Sequence, residues 1–287
     1  MEHYYWDEQI AYLKRSASLY YNDDYIQFLI ERVWKIDSPV NIIDYGCGFG
    51  HLGLRLMPLL PSGSTYSGID AGSKLIDHAR ALFNEAPYDT EFMNGDFLTY
   101  KFEKKYDIAL CHAVLLHMTD PMQLLRKMID CVKKDGKIIT FEPHWNGNHA
   151  GFYLEGVDQS RIMPLGLLQE LFERDVKCTG KDGNIGAKLP LYFNQLGLRQ
   201  VECRVSDRVN VLDPTVDDQN RAERYEAMRF SDPGERETYI RNLLLRGMQL
   251  DEAERQYEAE RLIASAFTST SAAAYAPGMR ITFGTVQ

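Results

Sequence analysis

The stretch from Asn41 to Gly53 reads NIIDYGCGFGHLG and combines a carboxylate with a run of glycines. Asp44 ends a short apolar run, and the glycines that follow are Gly46, Gly48, Gly50 and Gly53. Glycine lets a ligand approach the backbone closely, and the first turn of a helix offers unpaired N–H groups. A strand, a glycine-rich turn and a helix in this order predict a binding site for a small cofactor.

Two kinds of cofactor fit this stretch. The span from Gly48 to Gly53 is a G-x-G-x-x-G, and Asp70 follows at about the twenty-residue distance of a ribose-binding acid in dinucleotide sites. The span from Asp44 to Gly50 reads D-x-G-x-G-x-G instead. A carboxylate at Asp44 would repel a pyrophosphate in a partly dry pocket. The second frame is therefore favoured, with a cationic ligand such as the methionine part of S-adenosylmethionine.

From Val40 onward, short apolar strands alternate with amphipathic helices, which is typical of a parallel sheet covered on both faces. The pattern predicts strands at Val40–Asp44, Thr65–Asp70, Thr90–Asn94, Tyr106–Cys111, Lys137–Glu142, Arg199–Asp207 and the C-terminal MRITFGTV. We predict an α/β fold with a doubly wound, seven-stranded, mostly parallel sheet. Carboxyl ends of such strands share one edge of the sheet, where ligands bind.

Two helical segments flank this core. Residues 1–38 read as an N-terminal helical cap, residues 39–212 as the core, residues 213–277 as a charged helical insertion, and 278–287 as the last strand. Within the insertion, Pro233 is predicted to start one helix, and Asp251 with Glu254 to form a capping box at the next. The insertion is expected to be a lid over the site or the interface of a homodimer.

Several motifs resemble class I S-adenosylmethionine-dependent methyltransferases of the small-molecule type. DYGCGFG resembles their D/E-x-G-x-G-x-G signature. SGID, NGDF, YDIALCHAVLLHMTDP and LLRKMIDCVKKDGKIITFEP resemble, in order, the segments at the second, third, fourth and fifth strands of that family. The resemblance implies the Rossmann-like methyltransferase fold, S-adenosylmethionine as cofactor and in-line methyl transfer to an O, N or C atom.

The same resemblance implies a cofactor site. Its predicted members are Asp44, Gly46, Cys47, Gly48, Gly50, Asp70, Ala71, Asp96, Phe97 and His112. Asp70 would accept from the ribose hydroxyls, Asp96 from the adenine amino group, and Phe97 would flank the adenine ring. His112 follows the fourth strand, next to the reacting methyl group.

The sequence identifies the residues around the methyl acceptor less specifically than the residues around the cofactor. His117 is the candidate general base, and Tyr20 on the helical cap is a second candidate catalytic residue. Aromatic side chains attract a sulfonium and line flat pockets. The predicted acceptor contacts are Tyr5, Trp145, His149 and Tyr153, and no metal site is expected because the histidines lack further ligands at a suitable spacing.

The composition limits the partners. The 287 residues carry a net charge of −9, so the basic surface of a nucleic-acid-binding protein is not expected. The five cysteines are scattered, which predicts free thiols in a reducing, cytoplasmic setting, and no membrane-spanning stretch or signal peptide is expected. The favoured function is methyl transfer to a small organic molecule. A non-catalytic S-adenosylmethionine-binding regulator and a nicotinamide-dependent oxidoreductase stay open as alternatives.

Overall fold

The computed structural model describes residues 4–287. Seven strands form the main sheet in the order β3-β2-β1-β4-β5-β10-β7. They are β1 (Asn41–Tyr45), β2 (Thr65–Asp70), β3 (Asp89–Asn94), β4 (Tyr106–His112), β5 (Val132–Pro143), β7 (Arg199–Val205) and β10 (Met279–Thr285). Only β10 runs antiparallel to its two neighbours. The predicted doubly wound, seven-stranded, mostly parallel sheet is confirmed.

A second, smaller sheet was not predicted. Its strands β6 (Phe152–Leu154), β8 (Asn210–Leu212) and β9 (Ala273–Tyr275) pair antiparallel in the order β6-β9-β8. Each has three residues, too few for a period of two to stand out in the sequence. This sheet packs with Phe267, Met228 and Ile263 into a separate apolar cluster.

The described residues form twelve α-helices. They are α1 (Ile10–Ala17), α2 (Asp23–Phe28), α3 (His51–Leu56), α4 (Ser73–Phe83), α5 (Pro121–Cys131), α6 (Trp145–Ala150), α7 (Gln159–Ile162), α8 (Leu165–Thr179), α9 (Leu189–Gln195), α10 (Arg221–Met228), α11 (Arg236–Leu245) and α12 (Leu250–Ala266). None of the helices in the described part of the chain is both long and apolar enough to cross a membrane.

Both faces of the main sheet are covered, which explains the apolar strands. On one face, Ile42, Leu110 and Ile139 pack against the helices α2, α3 and α4. On the other face, Ile43 and Ala109 pack against α5 and α9. The strand order reverses between β1 and β4, so the crevice at the carboxyl ends of these strands is the expected ligand site.

Two predicted helix starts in the insertion are wrong. The helix α11 begins at Arg236 with Glu235 as its cap, whose carboxylate accepts from two backbone N–H groups. Pro233 lies before it. The capping box of α12 joins Gln249 to Glu252, because the helix begins earlier than the predicted Asp251–Glu254 pair requires. The domain boundaries at residues 38, 212 and 277 stay predictions.

Candidate functional site

The glycine-rich turn after β1 is held by β2. The N–H groups of Gly46 and Cys47 both donate to the Ile69 carbonyl, at 2.8 and 3.1 Å. Gly46 has φ of +68°, and a Cβ on it would lie 2.5 Å from Val114 Cγ2. Only glycine therefore lets the loop after β4 press against this turn.

Gly48 differs from Gly46 in what it faces. Its φ is +55°, but a Cβ on it would meet no atom within 4 Å. It lines an internal cavity, and its N–H donates to Asp70 Oδ2 at 2.9 Å. A ligand can therefore lie directly against this part of the backbone.

Asp70 ends β2 and lines the same cavity. Oδ1 accepts from the Gly72 N–H at 2.8 Å, and Oδ2 accepts from Gly48. Burial raises the pKa of this carboxyl, against the effect of those two bonds. A carboxylate has about four acceptor positions, so Asp70 can accept from a ligand's hydroxyl groups as well.

Asp44 lies near the end of β1 and is 1% exposed. Its Oδ2 accepts from the Tyr66 hydroxyl at 2.5 Å, while Oδ1 is buried without a partner. Burial raises the pKa of Asp44 to about 8, the Tyr66 bond works in the opposite direction, and the charge of Asp70 adds to the rise. An unpartnered buried carboxylate oxygen on a cavity wall is suited to a cationic ligand group.

Glu142 lies in β5 and is fully buried. Its Oε1 accepts from the N–H groups of Val114 and Leu115, both at 2.8 Å, and Oε2 accepts from Leu116 at 3.3 Å. Burial raises the pKa of Glu142 to about 7, although these N–H groups favour the ionised form. The preceding residue of this loop, Ala113, has φ of +54°. Glu142 thus holds a strained loop that forms part of the cavity wall.

Three histidines face the cavity, and burial favours the neutral form of each imidazole. Burial lowers the pKa of His112 to about 4, and it also lowers the pKa values of His51 and His117. His112 Nε2 hydrogen-bonds the Tyr21 hydroxyl at 3.0 Å, and the His51 ring lies 4.6 Å from the His112 ring. His51 Nε2 is buried without a partner.

The N-terminal segment covers this cavity, whose volume is about 310 Å³. Tyr4 and Trp6 line it, and the Trp6 ring lies 5.1 Å from His117. The Asp7 carboxylate accepts from the Leu75 N–H at 3.1 Å and so fastens the segment to the first turn of α4. The helix α1 contributes Tyr12, Leu13, Ser16 and Ala17, followed by Tyr20.

The cavity brings together most of the predicted site. Its lining includes the candidates Asp44, Gly46, Cys47, Gly48, Asp70, Phe97, His112, His117, Tyr20 and Trp145. Cys47 contributes backbone, because its thiol packs against Gly68 and burial raises its pKa well above the usual value.

The remaining candidates lie outside this lining. Gly50 faces Phe83 and Phe92 in the core, and the Ala71 carbonyl accepts from the Asn94 side chain. Asp96 is exposed, and its carboxylate accepts from the Leu98 N–H at 2.8 Å.

Three acceptor candidates also lie outside it. Tyr5 and Tyr153 are 65% and 58% exposed. His149 Nδ1 lies 2.7 Å from the Trp145 carbonyl. Their proposed roles in cofactor or acceptor binding stay predictions.

Sequence reasoning did not single out two residues of this lining. His51 and Phe49 line the cavity, and both lie within the glycine-rich stretch. Glu142 follows an apolar strand just as Asp44 and Asp70 do. That position indicated its importance, but only the fold shows that its partners are backbone N–H groups.

Known proteins resemble this chain mainly over its core. Residues 36–173 match the model of a family described as a methyltransferase domain. A ubiquinone biosynthesis O-methyltransferase of Rickettsia canadensis is 26% identical over 114 residues, which is 39% of this chain and 47% of the relative. An uncharacterized 37.1 kDa protein of a Streptomyces fradiae transposon is 32% identical over 141 residues, covering 48% and 40% of the two chains. The chain thus spans about half the length of the curated relatives it matches.

Among solved structures, the YcgJ protein of Bacillus subtilis aligns with 92% of this chain and 99% of its own, with a TM-score of 0.50 and 15% identity. At that identity the likeness concerns the fold alone. Residues 36–173 are thus similar to a methyltransferase domain, and the main sheet has the strand order of the Rossmann-like methyltransferase fold.

The residues that line the cavity fit S-adenosylmethionine. Asp44 Oδ1 is a buried acceptor without a partner, as the ammonium of the methionine part requires. Gly48 leaves backbone open to the cavity, and Asp70 keeps acceptor capacity for two hydroxyl groups. Phe97 supplies an aromatic ring on the same wall.

Proposed function

We propose that the chain transfers a methyl group from S-adenosylmethionine to a small organic acceptor. The observation that carries this proposal is the unpartnered Asp44 oxygen beside the open backbone of Gly48. A pyrophosphate at this place would meet the acidic side chains Asp44 and Asp70, and no Lys or Arg of residues 4–287 lines the cavity to pair with it. A ligand with a sulfonium and an ammonium would be attracted.

When bound, this cofactor supplies an activated methyl group that a nucleophilic O, N or C atom can displace. The protein's own contribution is then alignment of two bound molecules and exclusion of water. We infer that Asp44 binds the ammonium, Asp70 the ribose hydroxyls, and Phe97 one face of the adenine. His117 lies on the cavity wall as a neutral imidazole, so it can accept the proton of an acceptor group.

Calorimetric titration with S-adenosylmethionine, S-adenosylhomocysteine and NAD tests the proposal. We expect both sulfur nucleosides to bind with one-to-one stoichiometry and NAD to leave the heat signal unchanged. Binding of NAD with no binding of the sulfur nucleosides would overturn the proposal and favour the oxidoreductase.

Incubation with methyl-labelled cofactor and a mixture of small metabolites separates the enzyme from a regulator. Label that moves to a small molecule supports transfer. Tight cofactor binding with no label transferred to any molecule of a broad mixture would favour the regulator. The site would then bind the cofactor without transferring its methyl group.

We propose a cytoplasmic location and a homodimer as further properties. The three buried cysteines support a reducing compartment. Exposed apolar side chains at the end of α11, above all Leu245 at 80% exposure, support an association surface. Sedimentation of the purified chain tests the dimer, and a monomer across micromolar concentrations would contradict it.

A further inference from the structure

The cavity extends beyond the predicted cofactor contacts to a second wall. This wall consists of Tyr12, Leu13, Ser16, Ala17 and Tyr20 from the N-terminal cap, Pro143 and Met279 from the ends of β5 and β10, and Trp145 from the start of α6. It is mainly apolar, with hydroxyl groups on Tyr12, Ser16 and Tyr20. A flat, partly apolar molecule matches such a wall.

The wall offers no partner for an anion. No Lys or Arg of residues 4–287 lines the cavity, and its only carboxylates are Asp44 and Asp70. Arg55 lies nearby but pairs with Asp23 at 2.6 Å, outside the lining. A carboxylate or phosphate on the acceptor would lose its water and meet two acidic side chains without a fixed cationic partner.

A cation on this side would give up its water for uncharged polar groups. Burial keeps the imidazoles of His51, His112 and His117 neutral. The hydroxyls of Tyr12 and Tyr20 stay protonated for the same reason. The polar side chains of this second wall are therefore uncharged hydrogen-bond donors and acceptors.

We propose that the methyl acceptor is an uncharged aromatic molecule with a hydroxyl group, bound between α1 and the ends of β5 and β10. This inference rests on the proposed function. The acceptor oxygen forms the new bond to the methyl carbon while the carbon–sulfur bond breaks. Sulfur keeps the electron pair of that bond, and the hydroxyl proton passes to the neutral imidazole of His117.

Three ligands that share one ring test this inference. They are 3,4-dihydroxybenzyl alcohol, 3,4-dihydroxybenzoate and 3,4-dihydroxybenzylamine, which are neutral, anionic and cationic at pH 7.5. Affinity is measured by quenching of tryptophan fluorescence, since Trp6 and Trp145 line the cavity. Each ligand is titrated with and without saturating S-adenosylhomocysteine, and the initial rate of methylation is then measured with S-adenosylmethionine.

We expect the alcohol to bind at least about tenfold more tightly than either charged ligand, equivalent to roughly 1.4 kcal/mol, and to be methylated fastest. Equal or tighter binding of the benzoate or the benzylamine would overturn the inference, and so would failure of all three to bind. Absence of S-adenosylhomocysteine binding would instead count against the proposed function, because the ligand preference is also measured without it.

A pair of serines supplies a matched charge test. Ser16 lines the cavity, whereas Ser18 is exposed, and each hydroxyl bonds the carbonyl three residues earlier. Ser16→Lys should improve benzoate binding relative to the alcohol by about tenfold, while Ser18→Lys should leave the preference unchanged. An unchanged preference in Ser16→Lys, with its helical signal intact, would place the acceptor elsewhere.

Discussion

The carboxyl ends of β1 and β5 each carry a buried carboxyl group, and the two groups differ in what they bind. Burial raises the pKa of Asp44 to about 8 and that of Glu142 to about 7. Glu142 has three backbone N–H groups as partners. Asp44 has the Tyr66 hydroxyl on one oxygen and nothing on the other.

The hydrogen-bond partners of the two groups distinguish a structural carboxylate from one that is available to a ligand. Deep burial and a raised pKa are common to both groups, so neither property identifies the binding residue. The distinguishing observation is an unsatisfied polar atom on a cavity wall, because buried polar atoms almost always have partners. Glu142 therefore holds the loop that forms the wall, whereas we propose that Asp44 binds the ligand.

The largest effect is expected from Glu142→Gln. The amide replaces one acceptor oxygen by a donor that faces backbone N–H groups, so the loop carrying Val114 and His117 should shift. A displacement of about 1 Å can lower kcat/KM by about a hundredfold. Steady-state kinetics measure this effect. Since Glu142 ionises near pH 7, kcat/KM of the wild type should rise with pH in that range, and the variant should lose this rise.

Glu235→Gln is the matched control for that change. Glu235 also accepts from two backbone N–H groups, those of Glu237 and Thr238, but it is exposed and caps α11. The Glu235→Gln variant should be slightly less stable than wild type and should have the same kcat/KM. Glu142→Gln with normal kinetics and an unchanged pH profile would show that the wall does not depend on this carboxylate.

Asp70→Ala should affect the cofactor itself. A hydrogen bond to a charged group contributes about 1.5–3 kcal/mol, so we expect affinity for S-adenosylmethionine to fall about tenfold or more. Calorimetric titration measures the change. Asp213→Ala removes a partly exposed carboxylate that lies outside the cavity lining and accepts from the Thr215 N–H, so this variant should bind the cofactor normally. Equal affinity of the Asp70 variant and wild type would contradict the ribose role.

Substitutions at Gly46 and Gly48 should have different effects on cofactor binding and on stability. Both have positive φ, which costs a residue with a Cβ about 1–2 kcal/mol. Gly48→Ala adds a methyl group to the cavity alone, so it should weaken cofactor binding severalfold with a small loss of stability. Gly46→Ala adds a clash with Val114 and should lower the melting temperature more. The reverse ranking of melting temperatures would contradict this assignment.

Asp44→Asn should change how the stability of the protein depends on pH. Folding raises the pKa of Asp44 from 3.8 to about 8. The native state therefore binds more protons than the unfolded chain in that range, and this group's contribution to stability falls as pH rises from about 4 to 8. Urea unfolding should show the variant gaining stability relative to wild type between pH 5 and pH 8.

A cationic ligand would lower the pKa of Asp44 and release part of a proton at pH 7. Titration of S-adenosylmethionine in buffers of different ionisation enthalpy measures this release. We expect it in wild type and not in Asp44→Asn. Equal release from both proteins would assign the proton to another group.

Much of the fold was predictable because its signals are local. Apolar strands followed by amphipathic helices indicate a parallel sheet, and the observed β1, β2 and β4 agree with the predicted strands to within about a residue. The small sheet of β6, β8 and β9 was not predictable, because each strand has three residues and the paired residues are 61 to 123 positions apart in the chain.

The sequence by itself determined that Asp44, the glycines and Asp70 meet at one edge, because parallel strands bring their carboxyl ends together. It also placed His112 at the end of β4 and His117 in the loop that follows. The tertiary structure alone shows that the Tyr66 hydroxyl donates to one oxygen of Asp44. It also shows that Glu142 accepts from backbone N–H groups of the loop after β4. These outcomes depend on contacts between distant segments, and whether a buried polar atom has a partner is known only once those segments are packed.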